Sequence, residues 1–246
     1  MRRFLILSHG RAGTNFLGNN LQAHPHIATF LEPFHNDESE RVEVRGKKWT
    51  AGQSAYDFLQ DHVYESVDDK RAAGCKLFFF HCRQDAQSAD IWRRAREDRD
   101  IKIIFLNRRN LINRVISDLR AERSGVWHPK SEDYLSSQYA GQIALTINPA
   151  MMLNRLKDLY CGEHLVREAF AEHPSISAAF EDLATKGEAF LGEVCAFLGV
   201  PEGPVVSPFR AGTLSSQTTV ITNADELRAS LSLTPFETYI DGCPLL

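Results

Sequence analysis

The chain has 246 residues, 43% of them hydrophobic and 24% charged, which is ordinary globular composition and enough length for an α/β domain with a sizeable core. A net charge of −4 argues against a general binder of nucleic acid or of an anionic membrane surface. The five cysteines (75, 82, 161, 195 and 243) are odd in number and form no CxxC pair, so they read as reduced, mostly buried thiols with no zinc site.

The apolar run behind Met1-Arg2-Arg3 covers only Phe4 to Leu7, too short for a signal-peptide core, and no later stretch reads as a membrane span. The expectation is a cytoplasmic chain forming one domain over 1–246, with a candidate lid loop and a terminal helix in 207–246. Short apolar runs alternate with amphipathic stretches, the mark of β-α units on a parallel sheet. Strands are predicted at Arg3 to Ser8, Ile27 to Leu31, Cys75 to Phe80, Ile101 to Leu106 and Ile176 to Phe180. The first and fourth are continuously apolar, as strands covered on both faces must be. Helices are predicted at Thr14 to Gln22, Ser54 to Glu65, Ala86 to Arg96 and Asn110 to Arg123, somewhere between Ser131 and Glu172, then at Lys186 to Leu198 and Asp225 to Ser232. Asn223 is placed to cap the last helix, with Glu226 reaching back. Gly199 and Pro201 form a helix stop. The stretch Phe209 to Thr222 is polar and reads as a loop. The basic clusters at Arg93 to Arg99 and Arg108 to Arg123 read mainly as solvated helix faces.

Two segments carry chemistry. The first strand runs into Ser8-His9-Gly10-Arg11-Ala12-Gly13-Thr14-Asn15-Phe16, then a helix. Glycines permit a tight turn, a helix start gathers backbone amides and a partial positive charge, and Arg11 adds a full one. Taken alone, the loop reads equally well as a plain strand-to-helix turn. It lacks the Gly-Lys-Ser/Thr of an ATP or GTP loop. The fourth strand ends at Asn107-Arg108-Arg109, and Ser117 follows eight residues after Arg109. Two residues eight apart within one helix stand roughly 12 Å apart. An arginine placed before the helix instead swings its guanidinium to the Ser117 hydroxyl, and a phosphate fits between them.

Together these features resemble the sulfotransferase superfamily that uses 3′-phosphoadenosine-5′-phosphosulfate (PAPS). Arg11-Ala12-Gly13-Thr14-Asn15 is similar to its 5′-phosphosulfate motif, with Arg for the usual Lys and Asn for the last hydroxyl. Arg109 and Ser117 have the spacing of its 3′-phosphate motif. Val115 to Trp127 is similar to bacterial carbohydrate sulfotransferases of the trehalose-modifying and nodulation-factor kinds. Phe180-Glu181-Asp182-Leu183 and Phe197-Leu198-Gly199-Val200-Pro201 extend the likeness over most of the chain.

The resemblance implies an α/β, P-loop-like three-layer fold with a central, mainly parallel sheet flanked by helices. It implies PAPS as donor, 3′-phosphoadenosine 5′-phosphate (PAP) as product, and no required metal. The loop from Gly10 to Phe16, with Arg109 and Ser117, would hold the donor, and Arg11 would steady the leaving charge. The acceptor would be a small-molecule hydroxyl, of a carbohydrate or glycolipid. Sulfuryl transfer needs a base and a cationic clamp. Glu32, beside Pro33 after the second strand, is the first candidate for base, and His81 after the third strand is its rival. His35, His81 and Trp127 are candidate substrate contacts, and Arg210 falls where relatives fold a segment across the nucleotide. Two other readings stand beside this one: a nucleotide or small-molecule kinase of the same fold, and a non-catalytic PAP-binding protein.

Overall fold

A computed structural model describes residues 1–66, 69–125, 127, 143–206 and 219–246. By internal contacts the chain divides into two compact units, Met1–Asn107 with Glu163–Phe209, and Arg108–Gly162 with Arg210–Leu246.

The first unit carries the expected α/β architecture. Strands β1 (Arg2–Ser8), β2 (Ile27–Phe30), β3 (Ala72–Phe78), β4 (Ile101–Asn107) and β6 (Ser175–Ala179) form a parallel sheet in the order β2-β3-β1-β4-β6. Helices α1 (Thr14–Ala23) and α6 (Phe180–Leu198) supply one apolar layer, which takes Phe4, Ile6, Ile104 and Leu106 from the sheet. The other layer takes Leu5, Leu7, Ile103 and Phe105, and packs them against Tyr56 and Phe58 of α2 (Ala55–Phe58), Ile91 and Ala95 of α3 (Ala86–Glu97), and Phe170. Neighbouring strand residues therefore serve opposite faces, which explains why β1 and β4 are apolar without alternation.

The edges of several elements moved. β3 starts at Ala72, three residues earlier than predicted, because Ala72-Ala73-Gly74 carries no β-branched signal. The segment predicted as one helix from Ser54 divides into α2 and a π-turn at Leu59–Val63. α6 begins at Phe180, directly after β6, rather than at Lys186, and ends as expected with Gly199 in the left-handed region.

The second unit holds α4 (Leu111–Ser124), β5 (Ile143–Leu145), the first part of α5 (Pro149–Ala169), β7 (Thr219–Ile221) and α7 (Ala224–Leu231). β5 and β7 pair in parallel, so the predicted loop at Phe209 to Thr222 is strand at its end. Residues 209–218 of that segment, Arg210 included, lie outside the described residues. Its core joins Leu111, Ile112, Val115 and Ile116 of α4 to Met152, Leu156, Leu227 and Phe236. Asn223 stands at the cap of α7 without capping it: its side chain bonds both backbone groups of Ile147, at 3.0 and 2.8 Å, and Glu226 at 2.8 Å. Tethering the preceding chain outweighs one helix amide.

Four of the five cysteines are buried and Cys161 is exposed; all are free thiols. Among the described residues no helix is long and apolar enough to cross a membrane.

Candidate functional site

The chain leaves β1 for β2 on one side of the sheet, while β4 lies on the other side of β1. Such a reversal opens a crevice at the carboxyl ends of the strands, where ligands of open α/β sheets bind. The loop from Ser8 to Phe16 stands there.

The loop turns through left-handed conformations at Gly10 (φ +81°), Arg11 (+55°) and Gly13 (+82°). Glycine adopts these freely, but arginine does not, so the Arg11 backbone carries strain of about 1 kcal/mol. Strain of this kind persists where the surroundings hold it and gathers at ligand sites. The Gly10 amide donates to Ser8 Oγ at 3.0 Å, closing the first turn. Gly13 is the N-cap of α1 and supplies no side chain to its first turn. Ala12, Thr14 and Phe16 are buried and anchor the loop, whereas Arg11, Gly13 and Asn15 are half-buried.

Glu32 follows β2 by two residues. The sheet ladder runs one step past the strand, with the Lys76 amide donating to Leu31 O at 3.1 Å, and this brings Glu32 alongside Lys76. The Glu32 carbonyl accepts from the amides of His35 and Val42. Arg41, almost fully buried, pins the same loop by donating to His35 O at 2.8 Å, Glu38 at 2.6 Å and Trp49 O at 3.1 Å.

Lys76 is the residue that sequence reasoning passed over. It lies in β3 with its side chain 1% exposed, and its ammonium meets Glu32 Oε1 at 3.1 Å and Asn15 Oδ1 at 2.8 Å. The loop and the candidate base are thereby held by one cation. Burial lowers the ammonium's proton affinity below the usual lysine range, and the Glu32 charge partly restores it.

His81 is fully buried. Its Nδ1 accepts from the Phe78 amide at 3.3 Å, which puts the ring proton on Nε2, and Nε2 has no hydrogen-bond partner among the described residues. Burial first, then the charges of His35, Lys76 and Arg41, push its pKa down to about 3, so the ring is neutral at ordinary pH. His35 is half-buried, its ring 5.8 Å from that of His81, with Nδ1 accepting from the Asp37 amide at 3.1 Å. His9 packs edge-on to Phe79 at 4.4 Å.

In the second unit, Arg109 is exposed just before α4 and Ser117 is half-buried on it. The reading of this basic cluster as a solvated face fails for Arg114 and Arg120, which are 5% and 3% exposed. Arg114 pairs with Asp118 one turn on. Trp127 is 45% exposed, and the residues on either side of it lie outside the described ones. Among the described residues no group of three or more His, Cys, Asp or Glu gathers to hold a metal ion.

No protein-family model matches the chain, and no curated protein matches it. Among solved structures, a sulfotransferase from Alicyclobacillus acidocaldarius overlays 98% of this chain and 95% of its own, with 16% identity and a TM-score of 0.47.

Proposed function

We propose that the chain is a sulfotransferase that takes the sulfuryl group from PAPS and transfers it to a hydroxyl, of a carbohydrate or glycolipid. The observation that carries this reading is the Lys76 ammonium bound at once to Asn15 of the loop and to Glu32. It keeps an acceptor-side carboxylate within about 6 Å of an anion loop, the pairing that sulfuryl transfer needs.

The residues fit an anionic donor: a strained turn carrying Arg11, a helix start with no side-chain cap, and no carboxylate within the loop itself. When bound, the donor supplies a sulfuryl group whose bond to the 5′-phosphate breaks as the acceptor oxygen takes it. Gly10 to Phe16 would hold the 5′ end, and Arg11 would offset the charge that grows on the departing phosphate. Glu32 would receive the acceptor's hydroxyl proton. Arg109 and Ser117 are assigned to the 3′-phosphate on their spacing.

Calorimetric titration tests the nucleotide assignment. Arg109→Ala should weaken PAP binding by about 10- to 100-fold while changing adenosine 5′-phosphate binding little, as expected for one charge-assisted contact. Equal losses for the two nucleotides would overturn it. Incubation of ³⁵S-labelled PAPS with trehalose, methyl α-glucoside and chitobiose tests the acceptor class, and turnover should survive a metal chelator.

A further inference from the structure

Lys76 is costly where it stands. Along β3, Ala73, Cys75 and Leu77 serve one apolar layer, and Ala72 the layer under α1. Lys76 takes a place on the α1 side, where alternation calls for an apolar side chain. A Cβ at Gly18 of α1 would lie 2.7 Å from Leu31 Cδ2 and in ordinary contact, at 3.7 Å, with Lys76 Cδ and Cε, so the glycine makes room for Leu31 beside the lysine stem. An apolar side chain of similar volume there would stabilise the fold at least as well as the ion pair.

The contacts of that ammonium are selective. It binds one Glu32 oxygen and the Asn15 amide oxygen. The Glu32 side chain is only 13% exposed, so the ammonium meets a carboxylate largely withdrawn from water. An amide oxygen at position 15 accepts from an ammonium without offering a competing proton, which accounts for asparagine where a hydroxyl is usual.

We propose that Lys76 is the positioning residue of this site, fixed by Asn15 and holding one oxygen of Glu32 so that the other faces the acceptor hydroxyl and takes its proton. The proposal rests on the reading of Glu32 as the base. Lys76 touches neither donor nor acceptor; it acts through the carboxylate's orientation and charge.

The test compares the wild-type chain with Lys76→Met, Glu32→Gln and the double variant. Each is measured by PAP titration and by ³⁵S release from PAPS to water and to the three sugars. Lys76→Met should lower kcat by about 10- to 100-fold, the loss expected when a reacting group is displaced by an ångström, a loss well beyond any change in the Kd for PAP. The double variant should be no slower than Glu32→Gln, because both substitutions remove one function. A Lys76→Met chain with wild-type kcat overturns the proposal, as does a loss that multiplies with that of Glu32→Gln. If Lys76→Met does not fold, Lys76→Gln is read by the same criteria. A wild-type chain that binds PAP but releases no sulfate overturns the transferase reading, and this proposal with it. Active wild type with an indifferent Lys76→Met overturns this proposal alone.

Discussion

The sheet of the first unit has an acid–base pair at each end, and the two are unlike. At the amino end, Arg3 of β1 grips Asp98 with two bonds of 2.6 and 2.8 Å, and Tyr56 adds a third at 2.8 Å. Both Asp98 oxygens are engaged. At the carboxyl end, Glu32 is met by the single ammonium of Lys76, at 3.1 Å. Burial does not separate them, since the Asp98 and Glu32 side chains are 17% and 13% exposed. The number of partners does. A carboxylate gripped by a forked guanidinium and a phenol is locked into the fold, whereas one met by a lone ammonium in a crevice is the better candidate for chemistry.

The strongest way to break this comparison is to neutralise each acid. Glu32→Gln should cut turnover by about 10²- to 10⁴-fold, the usual worth of a positioned base, with PAP affinity nearly unchanged. Asp98→Asn should leave turnover per folded molecule intact and cost about 2–3 kcal/mol in a urea titration, since charge-assisted bonds are lost together. Exchanged outcomes would reverse the roles given to the two ends.

Acid and alkali should act on opposite ends. His81, buried beside the Glu32 loop, has its pKa pushed down to about 3. Between pH 6.5 and 3 the unfolded chain binds the proton and the folded chain does not, so stability falls on acidification by up to about 1.4 kcal/mol per pH unit. His81→Phe should flatten that slope in thermal melts. Tyr56 is raised to about 12, first by burial and then by its bond to Asp98. Between pH 10 and 12 the folded chain keeps the proton that the unfolded chain loses, so stability falls as pH rises; Tyr56→Phe should lessen that slope, leaving the share of the buried Tyr64, Cys75 and Cys82, whose proton affinities burial also raises. The smallest change expected is Gly13→Ala, about 1 kcal/mol from its left-handed backbone, accompanied by weaker PAP binding.

Local pattern was enough to foresee much of this. Phe4 to Leu7 and Ile103 to Leu106 announce buried strands because four apolar residues in a row have no wet face to show. The glycines at 10 and 13 announce the turn. What escaped was set by pairing across the chain. Lys76 has partners 61 and 44 positions away, which no local pattern can announce. Arg114 and Arg120 looked solvated because their helix face seemed polar, yet both are buried. Three-residue strands such as β5 and β7 carry too short a signal for any periodicity to register.

The lysine inside β3 also constrains how the molecule assembles. A bare ammonium leaves water only at great cost, so β3 cannot be roofed by α1 before Asn15 and Glu32 are at hand to receive it. The segment from the loop through β2 to β3 should accordingly close in one concerted step, with the hydration shell of Lys76 shed last.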